Sequence, residues 1–215
     1  MGFYGRVVVP RLIERAMRAP LLLPLRQRAV AGAAGRVLEI GIGAGANLPL
    51  YGREVLSLQG IDPQPHLLHR ARRIAGWLPF PVSLLEQSAE HLPLAEASID
   101  TVVVTWSLCS IPDALAALRE AHRVLVPGGR LHFLEHGRSP EPALGRWQER
   151  VTPVWRRLAG GCRLDRRVDR LLERAGFTIE QMEVGHLLPG PRLLTYHYLG
   201  QASRRTVAAP MPAQG

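Results

Sequence analysis

The sequence predicts an α/β domain: a parallel sheet covered by helices on both faces and closed by an antiparallel hairpin. Three observations predict it. From Arg36 to Glu135, short apolar runs alternate with stretches of helical periodicity, the pattern of strands buried on both sides and of the helices that bury them. The first apolar run passes straight into Gly41, Gly43 and Gly45, as a strand does where it turns sharply into a loop that a ligand can approach closely. Beyond Gly176, two apolar runs flank Pro189-Gly190-Pro191, which reads as a hairpin.

Taken in order, residues 1–34 read as an N-terminal helical cap, because Val8, Leu12, Ile13 and Met17 approach helical spacing with arginines on the other faces. Residues 35–202 form the main domain. Its strands are expected at Arg36–Ile40, Val55–Ile61, Val82–Glu86, Ile99–Thr105 and Arg130–Glu135, with helices near Asn47–Tyr51, His66–Ala75 and Asp113–Val124. An inserted segment, residues 138–162, interrupts the alternation, and its Trp- and Arg-rich part at 143–157 reads as a helix beside the site. A helix at Asp165–Ala175 ends at Gly176, since glycine readily takes the left-handed conformation that closes helices. Phe177–Val184 and Leu193–Leu199 are the hairpin strands. Residues 203–215 are rich in Ala and Pro and read as a disordered tail.

At 215 residues and 47% apolar content, the chain fills one core and leaves little room for a second domain. Its formal charge is +9, and every basic residue is Arg. The arginines are spread along the chain apart from short runs at Arg70, Arg72, Arg73 and at Arg163, Arg166, Arg167. No basic stripe with interleaved aromatics stands out, so a nucleic-acid partner is not expected. Cys109 and Cys162 are too few for a disulfide framework and lack metal-ligand spacing, so no metal is expected and a reducing cytoplasm fits. The apolar run Leu21-Leu22-Leu23 lies between Pro20 and Pro24 and is far too short to span a bilayer. A cytoplasmic protein is expected, with peripheral contact to an anionic membrane through the basic N-terminal segment as a further option. No sequence pattern fixes the oligomeric state.

The chemistry concentrates in Leu38-Glu39-Ile40-Gly41-Ile42-Gly43-Ala44-Gly45-Ala46-Asn47. The glycines also satisfy the G-x-G-x-x-A form of the dinucleotide fingerprint. Glu39 separates the readings: its carboxylate beside the loop would repel a pyrophosphate, yet it suits the ammonium and sulfonium charges of S-adenosylmethionine (SAM). Asp62 ends the second strand, where an acidic side chain accepts hydrogen bonds from both ribose hydroxyls in either cofactor. Ser88, Ala89 and Glu90 follow the third strand, where a backbone amide and a polar side chain would meet an adenine edge. Thr105-Trp106-Ser107-Leu108-Cys109 follows the fourth strand, and Val126-Pro127-Gly128-Gly129 introduces the fifth.

This ordered series resembles the successive motifs of the Rossmann-like class I SAM-dependent methyltransferases over residues 36–135. The resemblance implies Glu39, Gly41, Gly43 and Gly45 around the methionine part of SAM, Asp62 on the ribose, and Ser88, Ala89 and Glu90 near adenine. Asn47, Pro63 and Thr105 complete the expected cofactor set. Many relatives carry Asp where this chain has Ser88, which puts that side-chain contact in question. A narrower similarity, carried by Leu108-Cys109-Ser110, Glu135-His136, Trp147-Gln148, Pro153-x-Trp155 and Gly161-Cys162, is to the thiol S-methyltransferases of lipid droplets and endoplasmic reticulum. Their bacterial relatives are grouped with phospholipid and quinone methyltransferases.

Methyl transfer from a sulfonium is an in-line displacement, so proximity, alignment and exclusion of water are the main demands. A thiol acceptor ionises near neutral pH, whereas a phenol or alcohol gains from a general base such as His136; the bland reading of His136 is a histidine bonded to a nearby loop. Cys109 is either an acceptor contact or a small buried hydrophobe. Cys162 reads as packing or an idle thiol. Tyr4, with Phe3, is a candidate lid over the SAM pocket, and Trp147 and Trp155 are candidates for an acceptor wall. The expected activity is methylation of a small apolar acceptor, a thiol first. O-, C- or N-methylation of a phenol, quinone or phospholipid headgroup comes second; an NAD-dependent oxidoreductase and a non-catalytic SAM-binding protein are readings from other classes.

Overall fold

A computed structural model describes residues 16, 17 and 19–204. They form a seven-stranded sheet in the order β3-β2-β1-β4-β5-β7-β6. Strands β1 (Gly35–Ile40), β2 (Val55–Ile61), β3 (Val82–Leu85), β4 (Ile99–Thr105) and β5 (Leu125–His136) pair in parallel. Strand β7 (Tyr196–Arg204) lies antiparallel between β5 and β6 (Phe177–His186). This is the α/β sheet with a terminal antiparallel hairpin that the sequence predicts. Chain order reverses at β1, which has β2 on one side and β4 on the other. A crevice therefore opens at the carboxyl ends of these strands, the usual ligand position in such sheets.

The helices are α1 (Leu23–Val30), α2 (Pro65–Ala75), α3 (Ala114–Val124), α4 (Pro142–Leu158), α5 (Val168–Arg174) and the single turn α6 (Arg192–Thr195). Strand alternation divides the core into two faces. On one, Leu38, Ile40, Val102, Val104, Leu131 and Phe133 meet Ala117, Leu118 and Ala121 of α3 and Leu172 of α5. On the other, Val37, Leu58 and Val103 meet Leu68 and Ala71 of α2, while Leu25 and Ala29 of α1 cover Leu134 and Leu199. Sequence dictates these helices locally. Proline at the first turn of α2 fits where no intrahelical donor is needed. The Asp113 carboxylate accepts from Ala116 N at 3.0 Å and caps α3.

Several expected boundaries move for identifiable reasons. Near Asn47–Tyr51 there is only a 3₁₀ turn, Leu48–Leu50, with Pro49 in it. The helix expected from Asp165 starts at Val168, because Arg163 pairs with Asp165 ahead of it and holds the chain as a loop. The second hairpin strand starts at Tyr196, since α6 occupies the residues after Pro191. It also runs further than expected. Ser203 and Arg204, placed at the start of a tail by composition, pair with Thr178 and Phe177, and the Arg204 guanidinium donates to the carbonyls of Arg123 and Leu125. The rest of the expected tail, and residues 1–15 and 18 of the expected cap, lie outside the described residues. So do Phe3 and Tyr4, and with them the proposed lid.

Candidate functional site

The loop after β1 is built from glycines that no other residue could replace without strain: Gly41, Gly43 and Gly45 have φ of +69°, +54° and +78°. A Cβ on Gly41 would lie 2.1 Å from Ser107 Oγ, so the β1 and β4 loops touch there. At Gly43 such a Cβ would meet only the Gly41 carbonyl oxygen, in ordinary contact at 4.0 Å, so the loop is uncrowded on that side. The Gly43 amide donates to Asp62 Oδ2 at 3.1 Å, and the Gln64 amide donates to Oδ1 at 2.9 Å. Burial pushes the Asp62 carboxyl up, and the two amides and the nearby His66 pull it back. Asp62 is thus fixed at the end of β2, beside the uncrowded glycine. Pro63, next to it, is exposed.

Beneath the loop lies a polar network that sequence reading found only in part. Glu39 Oε1 accepts from Asn47 Nδ2 at 2.8 Å and Oε2 accepts from the Tyr51 hydroxyl at 2.9 Å. With each oxygen accepting one hydrogen bond and only 2% of its surface exposed, Glu39 braces the loop from below. Burial pushes its carboxyl up to about 7, against the pull of Tyr51, Arg26 and Asn47. Arg26, from α1, donates to Asn47 Oδ1 at 2.8 Å and to Thr105 Oγ1 at 3.3 Å, and its guanidinium lies 4.7 Å from the centre of the Trp106 ring. Thr105 Oγ1 also accepts from Asn47 Nδ2 at 3.0 Å. Trp106, at φ +49°, takes a conformation that costs a bulky residue energy, immediately after β4. Arg26, Tyr51 and Trp106 are the members that sequence reading did not assign.

On the far side of the crevice, the Ser88 hydroxyl donates to Glu90 Oε2 at 2.6 Å, and Glu90 Oε1 accepts from the Asp113 amide at 2.6 Å. The hydrogen bond from Ser88 holds the Glu90 carboxyl below its ordinary range, with the Asp113 amide adding to it. Ser88 has spent its proton on Glu90, so only its oxygen lone pairs remain for a ligand. Ala89 is buried between them.

A second group of side chains gathers at the ends of β4 and β5. The donor atoms of Cys109, His136 and Cys162 all lie within 4.8 Å of one another. Cys162 Sγ lies 3.2 Å from His136 Nε2 and accepts from Trp155 Nε1 at 3.2 Å. The neighbouring Cys109 and burial push the Cys162 thiol well up. Local spacing does not mark these three residues as a group; they come from three elements and are brought together only by the fold. Trp147, by contrast, is 57% exposed, stacked by Arg150 at 5.8 Å, and does not join the group. The arginine run beside it is not a free basic patch. Arg163 and Arg167 pair with Asp165 and Asp169, and Arg166 is turned onto the carbonyls of Leu108, Ile111 and Pro112.

With this geometry in place, comparison with known proteins is direct. A family model for a methyltransferase domain matches residues 38–133, the span from β1 into β5 that carries the glycine loop, Asp62, Ser88 and Thr105. The chain is 36% identical over 164 residues to thiol S-methyltransferase TMT1B of Homo sapiens, covering 73% of this chain and 66% of that one. The chain belongs to the class I methyltransferases. A phosphatidylethanolamine N-methyltransferase of Cereibacter sphaeroides is 36% identical over 104 residues, covering 47% of this chain and 51% of its own. Both alignments leave a third or more of the relative unmatched, so the chain spans less than two thirds of the length of these relatives. The structure of an S-adenosylmethionine dependent methyltransferase from Mesorhizobium loti superposes with a TM-score of 0.65, covering 87% of this chain and 100% of that one, and at 18% identity shares the fold. In this domain the glycine loop, Asp62, the Ser88–Glu90 segment and Thr105 lie at or just beyond the carboxyl ends of β1, β2, β3 and β4. Cys109 and His136 stand at its β4–β5 side. Among the described residues, no helix is long and apolar enough to cross a membrane.

Proposed function

We propose that this methyltransferase uses SAM to methylate a small, apolar acceptor, with a thiol as first choice. The observation that carries the reading is the uncrowded face at Gly43 set against the backbone-held carboxylate of Asp62. A ribose fits there: each Asp62 oxygen has a backbone donor and keeps lone pairs for a hydroxyl. The methionine end fits the glycine loop, whose shape Glu39 and Asn47 set from beneath. Adenine fits between Ala89 and Ser88. When bound, SAM supplies a methyl group on a positively charged sulfur. The chain's own work is to hold donor and acceptor in line and to keep water out.

A thiol acceptor is favoured by the relationship to TMT1B and by chemistry, since a thiol needs little help to ionise. His136 is engaged with Cys162, which leaves it a poor general base for a phenol. The Cereibacter relative keeps a phospholipid headgroup as the second acceptor class, and a quinone or phenol comes behind it. The test is transfer of labelled methyl from SAM to a panel of small thiols, phenols, quinones and ethanolamine lipids. Methylated thiol as the main product supports the proposal. Label found only in protein or RNA, or in no product while SAM is bound, rejects it.

A further inference from the structure

We infer that Cys109, His136 and Cys162 form a binding site for one thiophilic divalent cation, for which Zn²⁺ is the ion their chemistry selects. Cys109 comes from the loop after β4, His136 from the end of β5, and Cys162 from the turn after α4. Tetrahedral zinc, with bonds of about 2.3 Å to sulfur and about 2.1 Å to nitrogen, holds its donors roughly 3.6 to 3.8 Å apart. That separation falls between the 3.2 Å of the Cys162 and His136 pair and the 4.8 Å that encloses all three. Two sulfurs and an imidazole are a soft to borderline set that suits zinc and disfavours magnesium and calcium. Charge is also balanced, since two thiolates match a dication.

The donors are held by the protein's own contacts. Arg163 N donates to the Cys109 carbonyl at 2.9 Å, and Arg166 ties down the carbonyls of residues 108, 111 and 112. Gly160 and Gly161, at φ +60° and +92°, reverse the chain after α4 and return Cys162 to the sheet. Trp155 donates to the Cys162 sulfur, the kind of outer contact that fixes a ligand's orientation and tunes the metal. Cys109 is buried, while His136 and Cys162 are half-buried. One side of the set is therefore accessible for the ion and for a fourth ligand, as in zinc sites that retain an open position. The inference does not depend on the identity of the methyl acceptor.

Untagged, reduced full-length protein incubated with Zn²⁺ and then desalted is expected to retain one equivalent of zinc by elemental analysis. Co²⁺ in its place is expected to give sulfur-to-metal charge-transfer absorption. Cys162→Ser and His136→Gln are each expected to lower retained zinc at least tenfold while melting as folded proteins. If a variant fails to fold, alkylation of the reduced wild type decides: saturating Zn²⁺ is expected to protect both cysteines. Retention of less than a tenth of an equivalent by the wild type, undiminished binding in a folded Cys162→Ser, or unprotected cysteines under saturating Zn²⁺ would overturn the inference.

Discussion

Arg26 holds a guanidinium at 7% exposure against Asn47 and Thr105, one step from the Glu39 carboxylate. It does so because Leu22, Leu25, Arg26, Ala29 and Val30 lie on one buried helical stripe, spaced three, four, seven and eight residues from Leu22. A charged residue on an apolar stripe was the one signal in the sequence that could have found it. Arg26→Ala leaves Asn47 Oδ1 short of its donor and Glu39 without a nearby cation. We expect it to cost about 2 to 4 kcal/mol in urea unfolding, the usual penalty for orphaning a buried polar partner. Asp62 was legible because an acidic residue ending the second strand of such a sheet has a geometric role. Asp62→Ala is expected to weaken SAM binding at least tenfold in calorimetric titration, and unchanged affinity would remove the ribose from this position. Gly41→Ala combines a left-handed φ with a Cβ 2.1 Å from Ser107 Oγ. It is expected to lower the melting temperature, with part of the loss restored by Ser107→Gly.

Helix α4 is seated in large part by Gln148, with Thr152 and Glu149 bonded to Leu164 and Arg138 beside it. Gln148, 1% exposed, accepts from Ser139 N at 2.8 Å and donates to the carbonyls of Gly137 at 3.0 Å and Leu193 at 3.1 Å, joining α4 to the end of β5 and to α6. Gln148→Leu keeps similar bulk and strands three backbone groups. We expect a loss of about 3 kcal/mol by denaturant titration, and a neutral result would mean that water reaches the seam. Legibility differed between elements for physical reasons. Strands β2 and β4 are short, mostly apolar and β-branched-rich runs, and the ends expected for them, Val55 to Ile61 and Ile99 to Thr105, are those observed. The start of β7 was not, because Leu193 and Leu194 are apolar in a helical turn as they would be in a strand. The thiol and imidazole cluster was illegible for a different reason: some 26 residues separate each member from the next, and nothing local marks them as neighbours.

For the molecule as a whole, the buried carboxylates make stability depend on pH. Burial pushes Glu39 and Glu135 up to about 7 each, from an ordinary value of 4.5. Between these limits the folded state binds more protons than the unfolded chain, so each group's contribution falls as pH rises from 4.5 to 7 and is level above that. Buried His197, lowered to about 4 by burial, works in the opposite sense over much of the same range. The informative quantity is therefore a difference. Relative to wild type, Glu39→Gln is expected to gain stability steadily from pH 4.5 to 7, by up to ~3 kcal/mol, as read from urea midpoints; a difference independent of pH would rule this out. The sheet order has a consequence for synthesis. Of the described strands β7 is the last to leave the ribosome, yet it belongs inside the sheet, between β5 and β6. A nascent chain that has already made β1 to β5 must wait with the β5 edge unpaired, a ready template for wrong partners. That edge is covered only once residues 196–204 have emerged and paired with it.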